Sequence, residues 1–239
     1  MIESPNKKKD MKNYFTKLVL LVTVTSLLLA SCSKDEPKTQ NQVAARPTVP
    51  IQNGEVRIGT QVWMTRNLNV RRYRNGDLIP QVQNATAWPG LTTGAWCYYE
   101  NNTANGPVYG KLYNWYAVND PRGLAPIGYH VPTDAEWTAL TTFLGGLDLA
   151  GGKMKAVGTS LWLSPNFEAT NSSGFTGLPG GNRNDFGEFL NSGYNCLCWS
   201  STQADTDAAW SCVLRNSQVR AWRNYTKKMF GISVRCIKD

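Results

Sequence analysis

An apolar run near the amino terminus limits how much of this chain is free to fold. The run extends from Leu18 to Ala30, follows two lysines and ends in small residues. This layout is typical of a secretory signal. At 13 residues, the run falls short of the ~20 that a membrane-spanning helix needs, so we expect removal on export rather than a transmembrane anchor. Translation can start at Met1 or at Met11, because the first ten residues add only a polar leader.

The residues that close this run, Leu29-Ala30-Ser31-Cys32, resemble the lipobox of bacterial lipoproteins. The resemblance implies a lipoprotein signal peptide over residues 1–31 and acylation of Cys32, which would hold the protein on a membrane because each buried CH₂ contributes ~0.8 kcal/mol. The following Ser33-Lys34-Asp35-Glu36 resembles the export signal of Bacteroidetes lipoproteins. We therefore expect an outer membrane lipoprotein exposed at the cell surface. A plain linker start and a periplasm-facing leaflet stay open as alternatives.

Residues 32–54 are predicted to form a flexible tether, because they combine three prolines with polar residues and have no amphipathic period. The folded domain is then 55–239. The net charge of the whole chain is +8. Part of the positive excess falls within the first 31 residues, and the rest of the chain has no dense basic run, so we expect no nucleic-acid partner.

The composition of the chain favours a compact, turn-rich domain. Charged residues make up 18% and aromatic residues 11%, with 21 Gly and 12 Pro, which excludes a coiled coil and a highly charged disordered chain. Alternating apolar residues from Val56 to Met64 predict two short strands joined at Gly59-Thr60. Residues 132–146 predict an amphipathic helix, because Thr133 and Glu136 have capping-box spacing.

The remaining segments give a coarser prediction. Residues 110–119 fit a short helix or a strand, and residues 153–189 are expected to be loops, with turns that include 179–182. Short apolar runs between Cys198 and Ile237 predict three or four antiparallel strands. The expected fold class is α+β, with one antiparallel sheet, one or two helices and long loops.

Eight phrases of the sequence resemble, in order, the Fibrobacter succinogenes major paralogous domain. They cover most of residues 55–239 and occupy 56–64, 67–69, 109–118, 128–137, 169–175, 178–183, 199–201 and 231–236. The resemblance implies a C-type-lectin-like fold, distantly similar to the formylglycine-generating enzymes. It does not imply an activity, since fold alone does not determine function.

The cysteines that follow Cys32 are candidates for disulfides, because an exported protein meets an oxidising environment. They are Cys97, Cys196, Cys198, Cys212 and Cys236. A bond between Cys196 and Cys198 would be strained. We favour Cys212 with Cys198 or Cys196, while other pairings stay open. Family members usually carry a cysteine where this chain has Ala125, which implies that Cys236 pairs elsewhere or stays free.

No residue set in the sequence assembles a catalytic centre, so we expect no enzyme activity, cofactor or metal. His130 is the single histidine, and we expect it to brace the start of the predicted helix. Asp185 and Glu188 could in principle form a carboxylate pair or bind Ca²⁺, but ordinary solvated loop charges fit them better. The Gly-Gly-Asn-Arg183 phrase lacks the rest of a phosphate-binding loop, and we expect Arg183 to brace loops.

Aromatic residues provide the candidate binding surface. Trp63, Trp115, Trp137 and Trp199 lie at core-like positions, whereas a cluster near a terminal turn comprises Arg220, Trp222, Arg223 and Tyr225. That cluster and the loops of 182–194 are the expected recognition surface, and the leading hypothesis is a surface binding or adhesion module for a glycan or a protein. The alternatives are an accessory structural subunit of an outer-membrane complex and, third, a copper-dependent oxidase of the formylglycine-generating type.

Overall fold

The structure is a computed structural model that describes residues 50–51 and 54–239 of the 239-residue chain. The described residues fall within one compact unit, Ala44–Asp239. The predictions for the signal peptide, for Cys32 and for most of the tether lie outside the described residues. Among the described residues, no helix is long and apolar enough to cross a membrane.

Short strands and a few helices make up the described part of the chain. The strands are β1 (Pro50–Ile51), β2 (Glu55–Ile58), β3 (Gln61–Met64), β4 (Trp96–Cys97), β5 (Leu112–Tyr113), β6 (Tyr129–His130), β7 (Gly180–Arg183), β8 (Phe189–Ser192), β9 (Asn195–Gln203), β10 (Ala208–Arg215), β11 (Ala221–Lys227) and β12 (Ile237–Lys238). The helices are α1 (Asn105–Tyr109), α2 (Trp115–Val118), α3 (Asp134–Phe143) and α4 (Leu147–Met154), with a 3₁₀ turn at Tyr99–Asn101. The α+β class is confirmed.

The first and last strands of the domain share one sheet, in the order β1-β2-β3-β12-β6. The predicted hairpin is confirmed as β2 and β3, which pair Val56 with Trp63. Gly59 adopts a φ of +61° at the turn, a conformation that a residue without a side chain reaches at low cost. The pairing of Ile237 with both Trp63 and His130 ties the carboxyl terminus into this sheet.

The prediction of a single sheet is wrong. The terminal strands form a separate three-stranded sheet in the order β11-β10-β9, and β4-β5 and β7-β8 form two-stranded sheets. The segment that could join them meets its neighbours only through single bridges, from Gly231 to Arg183, from Ile232 to Tyr113 and from Ser233 to Cys198. Because a single bridge fixes one residue pair and not a ladder, the sheets stay distinct.

Helix α3 confirms the prediction for residues 132–146. The Thr133 side chain accepts from the Glu136 N–H, and the Glu136 carboxylate accepts from the Thr133 N–H, which completes the capping box. The expectation of one or two helices is too low, because the described residues contain four. Helix α4 follows α3 at once, and α1 and α2 add one short helix each. Helix α4 was missed because Gly151 and Gly152 lower helix propensity.

These two glycines let α4 approach a neighbouring segment closely. A Cβ atom at Gly151 would lie 2.5 Å from the Val219 carbonyl oxygen, and one at Gly152 would lie 2.6 Å from the Glu168 carbonyl oxygen.

Residues 110–119 contain both a strand, β5, and a helix, α2, so both alternatives for that segment occur in succession.

The prediction of a turn at 179–182 is also wrong, since Gly180–Arg183 is strand β7 and pairs with β8. Gly181 has a φ of +65°, and a Cβ atom there would lie 2.5 Å from the Leu190 carbonyl oxygen. Glycine at this position allows two strands to pack closely. In the sequence, such glycines look the same as glycines of a turn. The long-loop prediction holds for most of the residues between α4 and β7.

The core lies under α3 and between the sheets. Trp63 packs against Trp137 with ring centroids 4.8 Å apart, and both contact Phe175. The prediction that Trp63, Trp115, Trp137 and Trp199 are core residues is confirmed, and Trp88, Trp96 and Trp162 are buried as well. Most of the tryptophans therefore stabilise the fold and are not available to a ligand.

Candidate functional site

Within the described part of the chain, two arginines are fully buried without a carboxylate partner. Arg235 donates to the Asn67 side-chain oxygen and to the carbonyl oxygens of Met64, Phe175 and Thr176. Arg183 donates to the carbonyl oxygens of Gly187, Val82 and Gln83, which confirms that it braces loops. The Arg183 guanidinium is bonded to carbonyl oxygens, and that of Arg235 to carbonyl oxygens and the Asn67 side chain, so neither is a free anion-binding group.

The cysteines of the described domain are all buried free thiols. Cys196 and Cys198 have their sulfur atoms 4.0 Å apart, about twice the length of a disulfide bond. Cys236 packs in the same core cluster as Ala125, at the position where the family resemblance places a partner cysteine. Burial raises the pKa of the Cys97 thiol to about 12, even though Arg183 is close.

The favoured disulfide of Cys212 with Cys198 or Cys196 finds no support in the structure, in which all three cysteines are free thiols. Ser233 bonds the backbone of Leu197 and Trp199, so alternation along β9 turns the backbone groups of Cys198 toward β10. Cys198 and Cys212 are therefore opposite each other in a hydrogen-bonded pair. The two Cβ atoms of such a pair are typically ~5.5 Å apart, which exceeds the ~3.5–4.5 Å between the Cβ atoms of a disulfide.

Among the described thiols, Cys196 and Cys198 form a pair whose sulfur atoms are in hydrogen-bonding contact. The hydrogen bond from Cys198 lowers the pKa of the Cys196 thiol, against the opposing effect of burial, and the charge of Arg235 acts in the same direction. Both side chains are almost fully buried beneath α3. Buried thiols in this arrangement are closed to a substrate, so the geometry does not favour the oxidase alternative.

His130 lies between two carboxylates and braces the entry to α3, as expected. Its Nε2 is 2.8 Å from Glu136 and its Nδ1 is 2.7 Å from Asp239. Burial alone would lower the pKa of His130, but the hydrogen bonds to Asp239 and Glu136 outweigh burial and raise it. This arrangement joins the carboxyl terminus to the helix and has no open position for a substrate.

Asp185 and Glu188 do not form a carboxylate pair. Asp185 binds Lys227 of β11 at 2.7 Å, while Glu188 accepts from the Asn184 side chain. No group of three or more His, Cys, Asp or Glu side chains within the described residues is arranged to hold a metal ion. The contact with Lys227 brings the predicted 182–194 loop region next to the predicted β11 cluster.

The two arginines of the predicted cluster form ion pairs with helices. Arg220 pairs with Asp148 of α4, and Arg223 binds Asp134 of α3 through contacts of 2.5–2.8 Å. These pairs are solvent-exposed, so each contributes at most about 1 kcal/mol. Their effect is to fix the position of β11 against both helices.

The aromatic members of the cluster differ in exposure. Trp222 is half-buried and donates to Gln218. Tyr225 is 52% exposed and meets Trp210 edge to face at 5.6 Å, while the Arg223 guanidinium lies 3.4 Å from the Trp210 ring centroid. Trp210 was missed from the sequence because it lies in an apolar run of β10, and its register opposite Tyr225 is known only once the strands are paired.

A cavity of about 190 Å³ lies between α3 and the β10–β11 pair, next to this aromatic group. Its walls are mostly apolar and its rim is polar. The lining residues are Asp134, Trp137, Thr138, Thr141, Thr142, Leu147, Ser211, Cys212, Trp222 and Arg223. An apolar cavity with a few polar groups at its rim is the form that small-ligand sites take.

A larger depression, of about 540 Å³, lies where residue 54 enters the domain. It is shallow, and its carboxylate, Glu55, is already bound by Tyr129 and Lys238. We take the cavity under α3 as the candidate site, because it is better enclosed and adjoins the predicted cluster.

The family of the chain follows from its match over the whole folded region. Residues 56–238 match the family model of the Fibrobacter succinogenes major domain. The chain belongs to this family. No curated protein and no solved structure matches the chain significantly.

Within this Fibrobacter succinogenes major domain, the phrases that carry the resemblance form the scaffold. They include the core residues Trp63 and Trp137 and the buried Arg183 and Arg235. The cavity is lined mainly by residues outside those phrases, among them Thr138, Cys212 and Arg223. The scaffold and the cavity both lie within the residues that match the family.

Proposed function

We propose that this protein is a lipid-anchored, surface-exposed outer-membrane lipoprotein whose major domain binds a glycan or a protein. The observation that carries the proposal is the cavity between α3 and β11, which combines apolar walls with an exposed aromatic residue, Tyr225, beside it. Exposed aromatic rings next to a pocket are a common basis for recognition, because they bury a large area at low entropic cost.

We also infer the C-type-lectin-like architecture. The antiparallel strands, two longer helices and long loops of the domain support it, since the family resemblance implies these features. In that interpretation the scaffold holds exposed loops and edge strands, which is where binding functions commonly lie.

A matched pair of substitutions on α3 tests the site. Thr138 is exposed and lines the cavity, so Thr138→Trp fills its mouth, whereas Ala139 is exposed on the same helix and does not line it. The full chain carrying Cys32→Ala is applied to glycan and peptide arrays. We expect ligands that are lost with Thr138→Trp and retained with Ala139→Trp; equal binding by both variants contradicts the proposed site.

The lipid anchor has its own test. Cys32→Ala should release the protein from membranes, because the acyl chains supply the attachment. Unchanged membrane retention of the variant would refute the anchor. Protease treatment of intact cells tests surface exposure, which predicts cleavage of the domain without cell lysis.

The accessory-subunit alternative is distinguished by detergent extraction and native pull-down. On extraction, a structural subunit is released from the membrane in a fixed complex. A binding module is released without a partner and binds its ligand afterwards. Extraction with constant stoichiometric partners would favour the subunit role.

A further inference from the structure

We propose that the ligand is an extended peptide segment of a partner protein, which adds a strand to the free edge of β11 and inserts one aromatic side chain into the cavity beneath α3. This inference rests on the proposed binding function and narrows its ligand to a peptide. Strand addition of this kind takes affinity from main-chain hydrogen bonds and specificity from side-chain pockets.

The first support is the position of β11 in its sheet. Strand β11 pairs with β10 on one side, and no other strand of the described chain pairs with it. Helix α4 packs against β11 and bonds the segment just before it, where Gly152 donates to the Val219 carbonyl oxygen. Beyond Trp222, the residues Arg223, Asn224, Tyr225 and Lys227 are exposed. The stretch from Arg223 to Lys227 is therefore an open edge, and such an edge is a template for another chain.

The backbone direction along this edge follows from the register. The backbone groups of Cys198 and Cys212 hydrogen-bond each other across β9 and β10. Because the direction of the backbone groups alternates along a strand, those of the next residue, Val213, point toward β11. Val213 lies opposite Trp222, and the backbone N–H and carbonyl groups of Trp222 are hydrogen-bonded to Val213 in that pair. The next residue, Arg223, therefore turns its N–H and carbonyl oxygen to the open edge, as Tyr225 does two residues later.

The size of the cavity selects a single ring. At about 190 Å³ it is smaller than the ~300–1,000 Å³ of sites for drug-sized molecules, but an apolar cavity of ~150 Å³ is enough for benzene. A phenyl or indole side chain therefore fits. The cavity shares Arg223 with the open edge, so a peptide paired along β11 passes its rim.

The polarity of the cavity favours an aromatic side chain over a sugar. Its walls include Trp137 and Leu147, and two of its hydroxyl groups are already bound: Thr141 donates to the Trp137 carbonyl oxygen and Ser211 bonds Thr226. A sugar buried there would lose hydrogen bonds to water without replacing them, which is costly.

The charges along the strand favour a peptide of low net charge. Arg223 is paired with Asp134 and Lys227 with Asp185, so the edge presents little unbalanced charge. Alternating Thr and Val residues around one aromatic residue give a suitable probe, because they favour an extended conformation.

The experiment uses the full chain carrying Cys32→Ala and the blocked peptide Ac-Thr-Val-Thr-Phe-Thr-Val-NH₂, with binding measured by calorimetry. A peptide with Asp in place of Phe tests the cavity, and a peptide N-methylated at alternate residues tests main-chain pairing. We expect the Phe peptide to bind and each altered peptide to bind at least about tenfold more weakly, since burying a Phe side chain contributes ~1.5–3 kcal/mol.

Variants of the protein test the same two contacts. Thr138→Trp should abolish binding of the Phe peptide, while Ala139→Trp should not. Tyr225→Pro removes the outward N–H but no bond to β10, and should weaken binding at least about tenfold more than Tyr225→Ala. The melting temperature of each variant shows whether it folds, and the N-methylated peptide tests the edge without any change to the protein.

Any one of these peptide results overturns the inference: no binding of the Phe peptide at about 1 mM, equal binding of the Phe and Asp peptides, or equal binding of the Phe peptide and its N-methylated form. A glycan whose binding depends on Thr138 but does not differ between Tyr225→Pro and Tyr225→Ala would refute the peptide and keep the binding function. Absence of every Thr138-dependent ligand would refute both.

Discussion

Replacing Arg235 tests the view that buried cations bonded to carbonyl groups hold this domain together. Arg235→Ala strands the oxygen atoms of Asn67, Met64, Phe175 and Thr176. If each unsatisfied acceptor costs ~1 kcal/mol after partial hydration, the four together cost about 4 kcal/mol. The lost side-chain volume adds ~2 kcal/mol as a cavity, and relief of the buried charge offsets part of this.

The expected loss in free energy of unfolding is therefore about 3–6 kcal/mol, a large share of the ~5–15 kcal/mol typical of a domain. Urea unfolding followed by tryptophan fluorescence measures it. Arg235→Lys should fall between Ala and wild type, because lysine keeps the charge but not the planar fork of donors. Arg66 is exposed, so the control Arg66→Ala should change stability by under about 0.5 kcal/mol. A loss below about 1 kcal/mol for Arg235→Ala would refute the reasoning.

Three further substitutions test local features of the fold. Thr133→Ala removes the cap of α3 and should cost about 1 kcal/mol in urea unfolding. Gly187→Ala should cost about 2–4 kcal/mol, because the new Cβ atom would lie 2.1 Å from the Ala85 carbonyl oxygen at a φ of +81°; an unchanged midpoint would contradict it. His130 has a raised pKa, so its contribution should be complete below about pH 6.5 and be lost as pH rises through that pKa. The difference in melting temperature between wild type and His130→Gln should shrink from pH 6 to pH 9, and a constant difference would contradict the ion pair with Asp239.

Local patterns predicted the elements that local forces determine. The hairpin at Val56–Met64 and the capped helix α3 depend on alternation, a turn glycine and a capping box, all of which lie within a few residues of one another. The core tryptophans and the bracing role of Arg183 could be predicted as well. These features need no knowledge of distant contacts.

Features that depend on long-range packing could not be predicted from local patterns. The glycines of α4 and β7 have the signature of turns, but they serve close approach to Val219 and Leu190, which are distant or on another strand. The number of sheets depends on whether the segment 231–234 forms ladders or single bridges, and no residue pattern distinguishes the two.

Only part of the candidate site could be predicted from the sequence. The cluster on β11 was predicted, but its partners Asp134, Thr138 and Trp210 come from α3 and β10, which only the tertiary fold places beside it. The sequence gives Thr138 and Thr142 the spacing of one helix face, a signal that gains meaning once the partner of that face is known.

The most direct test of the central claim is a titration of the protein with indole, monitored by two-dimensional NMR, together with soaked crystals. The cavity under α3 should take up the ring, with shifts centred on Thr138, Cys212 and Arg223 and with electron density between α3 and β11. Both signals should disappear in Thr138→Trp and remain in Ala139→Trp. Shifts confined to other surfaces, or equal shifts in both variants, would contradict the claim that this cavity is the binding site.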